Sequence, residues 1–280
     1  MEKAIKRYFP IFVLPTMIAF TLGFIIPFVE GVYLSFCKFT TVNDAKFIGF
    51  ANYAKVFADE TFVHAFWYTA AFTVVSVILI NVLAFAVALL LTKGFKGTNI
   101  FRTAFFMPNL IGGIVLGYIW QLLLNGILMK FSRTLTYSST YGFWGLIILM
   151  CWQQIGYMMI IYIAGIQNIP GELIEAAEID GATKWQILKK VTIPMVMPSI
   201  TVCTFLTLTN SFKLFDQNLA LTNGEPSKMS ELLALNIFNT FYGRTGYEGV
   251  GQAKAVIFFI LVTVIALTQN YLTRRKEVQQ

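Results

Sequence analysis

The sequence predicts an all-α polytopic membrane protein, with six transmembrane helices and a charged cytoplasmic loop between the fourth and the fifth. Three observations carry this expectation. Of 280 residues, 57% are hydrophobic and only 12% charged, where soluble domains carry about 25% charged residues. Twenty-seven Phe are spread along the chain, a distribution that suits lipid-facing helices better than one soluble core. The apolar residues also gather into runs near the ~20 residues that cross a bilayer core. The net charge of +7 comes from basic residues at the ends of those runs, so lipid headgroups and topology explain it more simply than nucleic acid.

The expected spans are 9–29, 66–91, 101–124, 143–165, 196–215 and 254–272, within a single membrane domain covering 1–280. The first follows the basic stretch Met1-Glu-Lys-Ala-Ile-Lys-Arg7 and shows no small-residue cleavage site, so it reads as a retained span rather than a signal peptide. The third contains Pro108, Asn109 and Gly112-Gly113. Such residues are tolerated within a bundle where neighbours satisfy the freed backbone, and they predict a bent or broken helix. Twelve of the twenty-one Lys and Arg, namely Lys3, Lys6, Arg7, Lys93, Lys96, Arg102, Lys184, Lys189, Lys190, Arg274, Arg275 and Lys276, fall on one side. That bias makes both termini cytoplasmic. The outward segments are then 30–65, 125–142 and 216–253. Cys37, Cys151 and Cys203 suggest neither a disulfide framework nor a zinc site.

Sites for chemistry are not visible in the sequence. There is no phosphate loop, no H-E-x-x-H, and no carboxylate pair at catalytic spacing. The single histidine, His64, reads as a solvated interfacial residue. Charges inside the spans are scarce, and Lys213 and Asp216 sit one turn apart at a span end, where they can pair or snorkel outward. An ion-coupled carrier needs mid-span charges, so the chain reads as drawing its energy from elsewhere.

The loop at 168–194 is built differently from the spans. Pro170-Gly171 ends span four, and Glu172 and Glu175 occupy the first turns of a short helix, where the dipole favours acids. Leu173, Ala176, Ala177 and Asp180 share one face at i, i+3, i+4, i+7, and the two alanines leave it flat. Asp180-Gly181 turns the chain. Trp185, Leu188 and Val191 then recur every third residue, which predicts a second short helix along the membrane surface, before Pro194 and Pro198 open span five.

Within this loop, Glu175-Ala176-Ala177, Gly181, Val191, Ile193 and Pro194, with Asp180-Gly181-Ala182, resemble the E-A-A motif of permease subunits of binding-protein-dependent ABC importers. That pattern runs E-A-A, three residues, G, nine residues, I-x-L-P. Three further stretches resemble the sugar-importing (maltose and multiple-sugar) branch. They are Phe47-Ile-Gly-Phe-Ala-Asn-Tyr53, Phe101-Arg-Thr-Ala-Phe-Phe-Met-Pro108 with Trp120, and Leu221-Thr-Asn-Gly-Glu-Pro226, in which Glu225 stands for a usual Gly.

The resemblance implies a type I importer fold in which two homologous permease subunits form one pathway. An external solute-binding protein delivers the solute, and two cytoplasmic ATPase subunits hold ATP and Mg, so this chain is not an enzyme and binds no cofactor or metal. By the same resemblance, Glu175, Ala176, Ala177, Asp180, Gly181, Ala182 and Pro194 form the part that docks on the ATPase. Glu175 bonds a basic residue of its groove, Ala176 and Ala177 allow close approach, and Gly181 sets the turn.

Polar groups facing a cavity within apolar spans mark a solute path. Gln153 and Tyr157 lie one turn apart on span four with Gln154 beside them, and Thr207 and Ser211 do the same on span five. The resemblance adds Asn109, just after the span-three proline. Amide, hydroxyl and aromatic groups suit a neutral sugar, though polar side chains also join helices within bundles. The reading is a carbohydrate or oligosaccharide importer subunit in a cell membrane, in contact with lipid and not with nucleic acid. The alternatives are a permease for another solute such as a glycerol phosphate, or an ion-coupled secondary carrier.

Overall fold

The computed structural model describes residues 2–94 and 96–275, with side chains from residue 8. The side chains of Lys3, Lys6 and Arg7, and all of Lys276, lie outside the described residues.

Helices dominate the chain. In order they are α1 Glu2–Phe20, α2 Ile26–Leu34, α3 Ala51–Phe57, α4 Glu60–Leu91, α5 Thr98–Phe106, α6 Gly113–Leu128, α7 Ser139–Gln167, α8 Gly171–Ile179, α9 Lys184–Ile187, α10 Ile193–Met195, α11 Met197–Phe212, α12 Asp216–Leu221, α13 Leu233–Gly243 and α14 Glu248–Arg274. A π-turn at Thr21–Ile25 joins α1 to α2, and another at Leu188–Thr192 joins α9 to α10. Two short strands, β1 Cys37–Lys38 and β2 Lys46–Phe47, pair antiparallel with Cys37 opposite Phe47.

Five helical stretches among the described residues are long and apolar enough to cross a membrane: Tyr8–Leu34, Glu60–Leu91, Gly113–Phe131, Ser139–Gln167 and Glu248–Arg274. The pair Lys184–Met195 and Met197–Phe212, bent by 69°, makes a sixth if counted as one. The bend falls at Val196, after Pro194, so α11 starts at Met197 with Pro198 in its first turn.

The chain packs as two compact units, residues 1–60 with 237–260, and residues 61–236 with 261–280. In the first unit, Asn52 on α3 donates its amide to the carbonyls of Ser35 and Cys37 at 2.9 and 2.8 Å, fixing the turn after α2. Within this unit Lys254 of α14 is fully buried. Its Nζ lies 2.7 Å from Asp59 Oδ2 and donates to Thr240 Oγ1 at 2.8 Å.

The second unit holds the apolar core, which gathers Phe72, Ile80, Ala84 and Ala88 of α4, Leu116 of α6, Leu146, Leu149, Met150, Met158 and Tyr162 of α7, and Cys203 of α11. The third expected span is broken in this unit. Thr98–Phe106 is helical, Met107–Leu110 is a 3-10 turn, Ile111 is extended, and the helix resumes at Gly113. Gly113 and Gly117 sit one turn apart on α6, and a Cβ on either meets α12 at Asp216, Gln217 or Ala220. This small-xxx-small spacing lets two backbones approach closely in an apolar medium. Lys213 and Asp216, which could pair or snorkel outward by their spacing, form no ion pair, and both are exposed.

Candidate functional site

The loop between α7 and α11 is shaped by its caps. Helix α8 starts after Pro170 with Glu172 in its first turn. It ends in a doubly bonded turn, in which the Ala182 N–H donates to Ala177 O and the Gly181 N–H donates to Glu178 O, both at 3.0 Å. This Schellman closure needs a left-handed residue after the cap, and Gly181 supplies it with φ +77°. Thr183 then opens α9 with a capping box: the Gln186 N–H donates to Thr183 Oγ1 at 3.3 Å, and the Thr183 N–H donates to Gln186 Oε1 at 2.7 Å. The Thr183-x-x-Gln186 signature is legible in the sequence and passed unread there.

These caps hold α8 with one side inward and one side free. Ile174 packs against the core, and Ala177 and Ala182 are partly covered. Glu175, Ala176, Asp180 and Gly181 are exposed, and Pro194 lies half-buried at the bend into α11. The free side is not merely polar. Ile179 is 86% exposed, Trp185 69% and Leu173 43%. Large apolar side chains displayed on a loop among acids mark a surface meant to be covered.

The polar groups of the spans sort into two arrangements. In the first, the break in span three frees the carbonyl of Ile111, and Gln153 Nε2 donates to it at 3.3 Å. Gln153 Oε1 in turn accepts from Gln217 Nε2 at 2.8 Å. Gln153 therefore closes the backbone gap that the break creates. Beside it a cavity of about 290 Å³ is lined by Gln154, Asn210, Lys213, Asp216 and Gln217 with Met150, Leu214 and Phe215. Gln154 is 8% exposed, and its Oε1 is buried without a hydrogen-bond partner.

In the second arrangement, Tyr162 Oη donates to Asn81 Oδ1 at 2.7 Å, Asn81 Nδ2 donates to Thr207 Oγ1 at 3.4 Å, and Thr207 Oγ1 donates to Cys203 O at 2.7 Å. This chain ties α4, α7 and α11 together.

Of the six residues expected along the solute path, Gln154 lines the cavity, and Gln153 stands next to it but is committed to Ile111 and Gln217. Thr207 belongs to the helix-joining chain. Ser211 is fully buried, and its hydroxyl has no partner. Asn109 is half-buried on the 3-10 turn, and the half-buried Tyr157 ring lies 6.5 Å from Phe106. Sequence reasoning passed over Asn210 and Gln217. Gln217 falls just past the expected end of span five, where a polar residue attracts no notice.

Two sets of groups thus define the molecule: a capped loop bearing exposed apolar side chains between α7 and α11, and a small polar cavity where α7 meets the junction of α11 and α12. Its class is a membrane transport component. Residues 80–278 match the family of binding-protein-dependent transport system inner membrane components, and the chain belongs to that family.

Among relatives, it is 42% identical over 278 residues to the probable starch degradation products transport system permease protein AmyD of Thermoanaerobacterium thermosulfurigenes, covering 96% of this chain and 94% of that protein. It is 28% identical over 261 residues to the trehalose/maltose transport system permease protein MalF of Thermococcus litoralis, with 89% and 88% covered. In fold it is similar to a chain of a bacterial ABC transporter involved in the import of the acidic polysaccharide alginate, with TM-score 0.83, 23% identity and 98% of each chain covered. The all-α, type I importer permease architecture is therefore established.

Proposed function

We propose that this chain forms one half of the translocation pathway of an ATP-driven importer for neutral oligosaccharides. A second homologous permease supplies the other half, and two cytoplasmic ATPase subunits carry ATP and Mg. An external binding protein delivers the solute. Both termini and the 168–194 loop lie on the ATPase side, as the Lys and Arg bias requires.

The observation that carries this reading is the free side of α8. Glu175, Ala176 and the exposed Ile179 are presented on a helix whose far end is fixed by the Gly181 turn. A lever has to be stiff at its base and sticky at its tip, and this loop is both. Through α9, α10 and the 69° bend at Val196 the loop runs into α11, so movement of the loop is passed to a span that bears Ser211 and Asn210.

The cargo reading draws on the cavity and on the relatives together. Gln154, Asn210 and Gln217 offer amide donors and acceptors, while one cation, Lys213, and one anion, Asp216, leave the lining without net charge. Such a lining suits hydroxyl-rich neutral solutes. The names of AmyD and MalF point to the same class of solute.

The test is Glu175→Lys in the assembled transporter. Binding-protein-stimulated ATP hydrolysis and sugar uptake are expected to fall to background while membrane insertion and the basal ATPase rate remain. Uptake equal to that of the parent would rule the docking role out.

A further inference from the structure

A second cavity lies away from the solute path, between the end of α4, the start of α5 and the end of α7. It is a crevice of about 460 Å³ whose lining includes Thr92, Gly97, Asn99, Ile100, Arg102 and Gln167. Arg102 is partly buried, and its Nε is enclosed without a hydrogen-bond partner. Its guanidinium pairs with no carboxylate among the described residues. A guanidinium taken part-way out of water without a counter-charge is costly, and the cost is relieved by an anion that fits its planar fork.

The surroundings narrow the anion. None of the residues that line the crevice is acidic, and Lys93 and Lys96 stand on the loop that leads into α5. Gly97, the residue that precedes α5, offers no side chain to the first-turn N–H groups. Beside these polar groups the lining includes Leu91 and Ile100, of which Ile100 is 74% exposed, and the residues next to them in sequence, Leu90 and Phe101, add exposed apolar surface at 56% and 49%. A free inorganic anion has no use for that wall, whereas an acyl chain does.

From this juxtaposition we infer that the crevice is a binding site for the headgroup of an anionic phospholipid. The phosphodiester sits on Arg102 and the acyl chains run along Ile100 and Phe101. Basic pockets between membrane helices on the cytoplasmic side hold acidic headgroups in this way. The leaflet assignment rests on the inward orientation proposed above; the binding chemistry does not.

The site bears on function through Gln167. It is the last residue of α7 and lines the crevice, and α8 begins four residues later. A lipid seated there braces the base of the docking loop.

The experiment uses the full chain purified in detergent. Native mass spectrometry counts lipid retained after addition of phosphatidylglycerol or phosphatidylcholine, with inorganic phosphate as a separate competitor. One phosphatidylglycerol is expected to be retained with at least about tenfold preference over phosphatidylcholine.

Arg102→Gln and Asn99→Glu should each abolish that preference. The Glu variant is the safer of the two, since an acid in the first turn of α5 favours the helix while repelling phosphate. Arg102→Lys should keep part of the preference. Equal retention of both lipids, unchanged retention in the Asn99→Glu chain, or complete displacement by millimolar phosphate would each overturn the proposal. Thiol labelling of Lys96→Cys from either side of the membrane reports orientation separately, so a wrong leaflet and a wrong ligand give different results.

Discussion

At the scale of single residues, two neighbouring glutamines on α7 have opposite obligations. Gln153 spends both ends of its amide on the protein, bridging Ile111 O and Gln217 Nε2, while Gln154 leaves its carbonyl oxygen without a partner beside a cavity. Replacing Gln153 by Leu leaves a buried carbonyl and a buried amide unmet, and is expected to lower stability by about 1–3 kcal/mol. A reduced thermal midpoint of the purified protein would register it. Gln154→Leu removes an unsatisfied acceptor, so the midpoint is expected to hold or rise while the KM for uptake increases severalfold. Equal destabilisation of both variants, with uptake intact in the second, would remove Gln154 from the solute path.

At the scale of elements, close approach of helices is set by side chains that are missing. A Cβ at Gly156 of α7 would fall on the backbone of Phe105, and Gly117 of α6 faces Ala220 and the backbone of Gln217. Gly117→Leu should therefore force α6 from α12 at a cost of about 1–3 kcal/mol, as overpacking does elsewhere. The change would be seen as faster hydrogen exchange in 113–128 and 216–221. In the 168–194 loop the limiting factor is conformation rather than space, because no atom lies within 4 Å of a Cβ on Gly181 but its φ is +77°. Gly181→Ala is expected to cost about 1–2 kcal/mol, appearing as fraying of α8 and lower transport-coupled ATPase activity. Stability and coupling indistinguishable from the parent would refute the role given to that turn.

At the scale of the whole chain, distant segments are joined by groups that a lipid-facing composition conceals. Lys254 and Asp59 are 195 positions apart, yet their ion pair is made at 2.7 Å with the lysine wholly buried. Breaking one partner of a buried pair costs about 3–5 kcal/mol, whereas neutralising both together costs far less. Lys254→Met is accordingly expected to reduce the amount of folded protein sharply, and Lys254→Met with Asp59→Asn to restore most of it. Size-exclusion profiles and thermal midpoints decide the matter, and a double variant as unstable as the single one would show the pair to be incidental. The sequence puts Lys254 at the first position of the expected sixth span, where a cation looks the same whether it snorkels or turns inward.

Composition and charge order determined that this chain is a helical membrane protein, and the spacing of Glu175-Ala176-Ala177 to Gly181 to Pro194 determined its family resemblance. Both are local or additive properties: apolar runs, loop charges and turn residues act over a few positions and survive without knowledge of neighbours. The break of span three was likewise legible from Pro108, Asn109 and the paired glycines. Tertiary structure alone decided which polar side chains are used up and which are left over. Gln153, Thr207 and Lys254 are spent on partners far away in sequence, Gln154, Ser211 and Arg102 keep buried atoms unmet, and Lys213 and Asp216 stay apart. Satisfaction of a hydrogen bond depends on distance and direction between elements, and neither is written in the order of residues along one helix.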